Sequence, residues 1–209
     1  MEQVFPVFQF AFNLVLVLSF ALMATLAYSL KTESAASFNM NNLATSQESQ
    51  INLTLFMYAF GLIWCLELVK AIGVMTVAGA VGTDYWIPKD TATDFLPLLP
   101  TFPALYRAIR YHLGSAIFGA LILAIIRMIR YVLMYIDSKA AELQQRSFAM
   151  KVFFHVLHCC LYCFEKCVRF LSYSTYILIA VEGGGFCQSA WKSFKLLFTN
   201  SLRVATAQV

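Results

Sequence analysis

Charged side chains are scarce in this chain. Asp, Glu, Lys and Arg together make up 12% of its 209 residues and hydrophobic residues 60%, where a soluble domain carries about 25% charged and about 45–50% apolar residues. That balance excludes a water-soluble core. Histidine is scarcer still, with three copies, and the chain has no H-E-x-x-H zinc motif, no G-x-S-x-G nucleophile elbow and no P-loop. An enzyme is therefore not expected, and neither catalytic residues nor a cofactor are assigned. The N-terminal apolar run follows only Glu2 and Gln3, with no basic leader and no small-residue cleavage pattern, so it is read as a span and not as a signal peptide. Nucleic-acid recognition motifs are absent, and the net charge of +4 is concentrated late in the chain, which suits a surface facing anionic lipid.

What the chain has is apolar length. Residues 7–30, 53–81 and 113–136 are each long enough for a hydrocarbon core that needs roughly 20 helical residues. No strand-like alternation competes with the helical periods. The fold class is therefore all-α, a polytopic helical membrane protein with three transmembrane helices in residues 1–136. Residues 31–50, rich in Ser, Asn, Thr and Ala, are expected to be a polar loop. Residues 84–103, interrupted by Pro88, Pro97, Pro100 and Pro103, are expected to be a second, with 104–112 an amphipathic lead-in to the third span. Residues 137–209 are expected to be a cytosolic region, in which 148–171 and 194–205 form amphipathic helices lying on the membrane, separated by Gly183, Gly184 and Gly185. Lys139, Arg146 and Lys151 after the third span, with Arg127 and Arg130 able to snorkel to the same side, place that region inside. The sequon at Asn52, Leu53 and Thr54 argues the other way.

Ionisable residues within a span are costly, which makes them functional candidates. Glu67 and Lys70 lie three apart on one helical face and can form a coupled ion pair. Two readings stand side by side. In one, the pair is structural. In the other, Glu67 is the counter-charge or proton-exchanging group for a cationic substrate, with Tyr58 and Trp64 offering ring faces, since an aromatic quadrupole attracts quaternary ammonium groups. Gly79 and Gly82 at the end of the second span, and Gly114, Ser115 and Gly119 in the third, belong to small-residue stripes that let helices approach closely. Static packing and a moving interface both explain them. Cys159, Cys160, Cys163 and Cys167 leave three alternatives: a metal site, S-acylation, or small buried apolar side chains. Their offsets run along one continuous helix without the turn that folds paired ligands around zinc, so no metal is expected.

Several segments together resemble the choline transporter-like family. They are Gly61, Leu62, Ile63 and Trp64 with Glu67; MTVAGAV at 75–81; RYHLGS at 110–115; residues 127–136; CCLYCFEKC at 159–167; FCQSA at 186–190; and SLRVAT at 201–206. The resemblance runs in order from about residue 56 to the C-terminus. It implies a carrier of choline and related amines such as ethanolamine, in the plasma membrane or a mitochondrial or other organelle membrane. Members of the family carry further spans, so the chain is expected to be a C-terminal-half fragment, with missing spans or a second copy open as partners beside membrane lipids and an amine substrate. Lys70 is an unusual charge for the family, and Gly73 and Val74 stand where members often carry glutamines. The alternative from another class is a non-transporting membrane scaffold whose cytosolic helices bind lipid or a partner.

Overall fold

Long stretches free of proline let helices outgrow the apolar runs that nucleate them. The computed structural model describes residues 4–37, 41–86, 101–142 and 148–200, and these form five helices: α1 (Val4–Ser37), α2 (Asn41–Trp86), α3 (Thr101–Glu142), α4 (Phe148–Glu182) and α5 (Phe186–Thr199). At 1.5 Å per residue, α2 and α3 are about 69 and about 63 Å long, roughly twice the thickness of a hydrocarbon core. Among the described residues, three segments are long and apolar enough to cross a membrane: Gln9–Ser29, Asn52–Trp86 and Thr101–Lys139. They match the three spans expected from the sequence, and the chain is a helical membrane protein.

The connections differ from expectation. Most of 31–50 is helical, because α1 continues to Ser37 and α2 begins at Asn41; residues 38–40 lie outside the described residues. Polar composition alone does not break a helix, and this stretch has neither proline nor glycine, whose absence leaves propagation unopposed. The proline loop also shortens, with α2 reaching Trp86 and α3 starting at Thr101. Pro103 sits in the first turn of α3, where a missing N–H leaves no bond unmade. Pro88, Pro97 and Pro100 fall in 87–100, outside the described residues. The lead-in at 104–112 is simply the first part of α3. In the last third of the chain, α4 runs past residue 171 to Glu182, and Gly183 stops it in the left-handed region at φ +78°, where a side chain would be strained. Its N–H bonds the Ile179 carbonyl at 2.9 Å, a helix-terminating geometry. Expected helix 194–205 begins inside α5, and 201–209 lie outside the described residues.

The chain divides into two compact units, Met1–Leu66 and Glu67–Val209. In the first, no residue of the candidate span in α1 is buried. Its serine and threonine hydroxyls are satisfied within the helix, Ser19, Thr25 and Ser29 each donating to a carbonyl three residues back at 2.8–2.9 Å, as hydrocarbon surroundings require. The Phe20 and Tyr58 rings stack with centroids 5.6 Å apart.

The second unit holds the core, made of Ala71 and Met75 from α2, Ala108 and Ala116 from α3, and Tyr176 and Ile179 from α4. Ala116, Ala120 and Ala124 are fully buried. Spaced four apart, they form one face of α3 that lets neighbouring backbones come close. At Gly119 the approach is closest. A Cβ there would strike the Phe186 ring and the Tyr176 hydroxyl. α3 and α4 run antiparallel, with Arg130 opposite Glu165 at one level and His112 beside Gly183 at the other.

Candidate functional site

Helical spacing puts charge on the inward faces of three helices at one end of the second unit. Glu67 and Lys70 are three apart on α2, Arg127 and Arg130 three apart on α3, Glu165 and Arg169 four apart on α4. Residues at those offsets share a face. Glu67 and Glu165 are both only 4% exposed. A buried carboxylate without partners would be strongly unfavourable, and here each has several. The Arg127 guanidinium binds Glu67 directly, and its Nε lies 3.5 Å from Glu165 Oε1. Lys70 Nζ is 3.3 Å from Glu67 Oε1. Glu165 also accepts from Arg130 Nη1 at 2.5 Å and from Arg169. Arg127 thus joins the two carboxylates and ties α2, α3 and α4 into one network.

Two acids face four bases in this cluster. Such a site cannot offer a free negative charge to a substrate cation as it stands. The surplus positive charge lies toward its edge, where Lys70 is 42% exposed and the Tyr162 ring is flanked by Arg130 at 5.5 Å and Lys166 at 5.3 Å, within cation–π range.

The residues picked from the sequence are placed as follows. Glu67 and Lys70 do pair. Arg127, expected to snorkel outward, turns inward and is the stronger partner, because the buried Glu67 offers it a full counter-charge. Glu165 and Arg169 were not singled out from the sequence, since regularly spaced charges on a helix rich in large apolar residues fit a surface helix equally well; the Glu165–Arg169 spacing was the available signal. Tyr58 and Trp64 belong to the first unit, and Tyr58 lines a groove of about 590 Å³ with Leu16, Phe20, Met57, Gly61 and Cys65. Gly79 packs against Ala104 Cβ at 3.6 Å and Gly82 against Val181 at 3.8 Å, measured from an added Cβ. Ser115 is partly buried beside the alanine face. Gly114 is exposed with open space beside it, five residues from Gly119 and so about 140° away around the helix. Cys159, Cys160, Cys163 and Cys167 are exposed free thiols on α4, and Cys159 holds the Cys163 thiol above its ordinary range.

The opposite end of this unit is open. A cleft of about 360 Å³ is lined by Gly79, Thr83 and Trp86 of α2, Arg107 and His112 of α3, and Val181 of α4, among others. Arg107 donates to the Thr83 hydroxyl at 2.7 Å. None of the cleft's polar residues was chosen from the sequence, because its aromatic, histidine and arginine components are brought together only by the packing of three helices.

Comparison with known proteins agrees with the architecture. The profile described as plasma-membrane choline transporter matches residues 3–209. Choline transporter-like protein 2 of Sus scrofa is 43% identical over 164 residues, 78% of this chain and 22% of that protein. The Homo sapiens protein of the same name is 46% identical over 149 residues, 70% of this chain and 20% of that protein. Choline transporter-like protein 4 of Xenopus laevis is 38% identical over 170 residues, 80% of this chain and 23% of that protein. The chain spans about a fifth of the length of these curated relatives. With a match across nearly its whole length and three helices able to cross a bilayer, the chain belongs to the choline transporter family.

Proposed function

We propose that this chain forms part of a carrier that moves choline and related organic cations such as ethanolamine across the plasma membrane. The observation that carries the reading is the family match over residues 3–209. Tyr58 and Trp64 are proposed as cation-binding ring faces, each contact worth about 0.5–2 kcal/mol. Glu67 is proposed as the group that exchanges partners. It is held by Arg127 and Lys70, so a substrate ammonium or a proton gains it only as Arg127 is released. The ion pair is then a lock between α2 and α3 that cargo opens, at the expense of an interaction that is strong only while both partners stay buried.

Uptake of labelled choline into vesicles holding this chain, against empty vesicles and with ethanolamine as competitor, tests the carrier. Saturable uptake is expected. Its absence favours the non-transporting scaffold, a reading that the chain's short coverage of its relatives keeps in view. The role of Glu67 is tested in a transport-active, full-length relative by combining the changes equivalent to Glu67→Gln and Arg127→Gln. Glu165 keeps Arg130 and Arg169 in that variant, so folding is expected to survive. If Glu67 exchanges partners with cargo, expression returns but uptake stays impaired; full uptake would leave a structural pair. Combining Glu67→Gln with Lys70→Met is not a sufficient control, because Arg127 would still face a position that has lost its carboxylate.

A further inference from the structure

Cys159, Cys160, Cys163 and Cys167 fall within an arc of about 100° on α4, and all four are exposed free thiols. Val152 and Val156 share that arc and are 46% and 60% exposed. Exposure removes one of the alternatives that the sequence leaves for these cysteines, small buried apolar side chains. A metal centre fails on geometry, because a straight helix has no turn to bring the ligands back around one ion, and among the described residues no three ligating side chains are gathered for one. The neighbouring Cys159 holds the Cys163 thiol above its ordinary range. It is therefore protonated at neutral pH, unlike the low-pKa thiolate of a redox-active cysteine.

The surroundings of these thiols suit a lipid surface. Residues 143–181 contain a single acid, Glu165, and it is buried against Arg127, Arg130 and Arg169. The exposed side of this part of α4 therefore offers apolar groups and cations without a counter-charge. Val152, Phe153, Val156 and Phe164 are 46–60% exposed, and Lys166 is exposed over the Tyr162 ring. Such a mixture matches the interface of an anionic bilayer. Depth is an independent observation. His158 lies 3.6 Å from Asp137 and Glu165 binds Arg130, so the thiols at 159, 160 and 163 are level with residues 130–137 of α3. That level is the end of the candidate span Thr101–Lys139. A cysteine on an amphipathic or juxtamembrane helix is the setting in which S-acylation occurs.

We propose that Cys159, Cys160, Cys163 and Cys167 are acceptors for long-chain fatty acyl groups, transferred from acyl-coenzyme A by a membrane acyltransferase. The cysteine sulfur attacks the thioester carbonyl carbon, the bond from that carbon to the coenzyme A sulfur breaks, and the thiol proton leaves with coenzyme A. Nothing is oxidised or reduced. Acyl-coenzyme A is cytosolic, so the step requires the first half of α4 to lie on the side to which Lys139, Arg146 and Lys151 assign it. The acyl chains enter the bilayer beside Val152 and Val156 and tie this half of α4 to the membrane next to the ion pairs of Glu165. Thioesters are hydrolysed, which makes the tie reversible. Cys65 and Cys187 are exposed as well and serve as internal controls. Cys65 lies inside the span Asn52–Trp86. Cys187 lies on α5 just past the turn at Gly183, which sits beside His112 at the level away from Glu165. Neither is expected to be acylated. None of this depends on which substrate the family member carries.

The test uses the full chain made in cultured eukaryotic cells. Free thiols are blocked with a maleimide, thioesters are cleaved with neutral hydroxylamine, and the thiols so released are tagged with a polyethylene glycol maleimide that retards the band. One or more hydroxylamine-dependent tags are expected, and peptide mass spectrometry is expected to place them between Cys159 and Cys167. No such tag, tags only at Cys65 or Cys187, or tags released by dithiothreitol without hydroxylamine would each overturn the proposal, the last by showing disulfides. Mapping on the unaltered chain needs no variant to fold. Metabolic labelling with an alkynyl fatty acid then checks the acyl group itself. Label should fall several-fold when Cys159, Cys160, Cys163 and Cys167 are together replaced by serine, and stay at the parent level in Cys65→Ser with Cys187→Ser. Equal label in the parent and the fourfold variant would reject these acceptors.

Discussion

The two ends of the second unit hold their charges in different ways. At one end, Glu67 and Glu165 are almost wholly buried and share Arg127. At the other, Lys192 and Glu182 pair at 2.6 Å but are 49% and 43% exposed, and Arg107 reaches Thr83 across the rim of an open cleft. Burial decides what each pair does. In a low-dielectric site a charge depends on its partner for most of its stabilisation, while an exposed ion exchanges its partner for water at little loss. The first end is therefore where buried charge ties the helices to one another, and at the second the ion pair between Lys192 and Glu182 contributes little.

Removing the acceptor at the fixed end should have the largest effect. Glu165→Gln leaves Arg130 and Arg169 without their carboxylate, and a broken buried pair is destabilising by about 3–5 kcal/mol. Denaturant unfolding in detergent micelles would measure it. Adding Arg130→Met and Arg169→Met should restore most of the loss, because apolar replacements remove the stranded charges along with the pair. If the triple variant is as unstable as Glu165→Gln alone, the network contributes through contacts other than charge and the contrast between the ends fails.

How much of this is legible in the sequence depends on range. The three spans are, because apolar length is a property of consecutive residues: 7–30 against Gln9–Ser29, 53–81 against Asn52–Trp86, 113–136 within Thr101–Lys139. The Glu67–Lys70 pair is too, being one helical turn long. Arg127 as the partner of Glu67 is not, since sixty residues separate them and nothing local tells an arginine that snorkels from one that turns inward. Glu165 is hidden for a related reason: its neighbours Lys166 and Arg169 make it one of a series of surface charges. The polar stretch at 31–50 reads as a loop on composition, although it lacks the residues that stop helices. Order and spacing of short motifs do carry the family, because many weak matches in sequence constrain one another.

A smaller effect is expected from packing between the ends. Gly119→Ala puts a methyl group where the Phe186 ring and the Tyr176 hydroxyl already sit, and overpacking of this kind is destabilising by about 1–3 kcal/mol. Gly114→Ala is its control. Nothing lies within 4 Å of the added Cβ there, and alanine in a helix is favoured over glycine by about 0.5–1 kcal/mol. The two substitutions, on one helix and five residues apart, should shift the unfolding midpoint in opposite directions. A shift of the same sign in both would mean that α5 is not seated on α3 at Phe186.

The smallest effect belongs to the open end. Lys192→Ala removes the pair with Glu182, and exposed ion pairs contribute about 0–1 kcal/mol. Salt sharpens the test. Because charges at an exposed surface are screened over about 8 Å at physiological ionic strength, the difference between Lys192→Ala and the parent should shrink as salt rises, whereas the loss in Glu165→Gln should persist. A loss well above about 1 kcal/mol at Lys192 that salt does not reduce would place this pair in low dielectric too. Both ends would then hold their charges in the same way, and the contrast between them would fail.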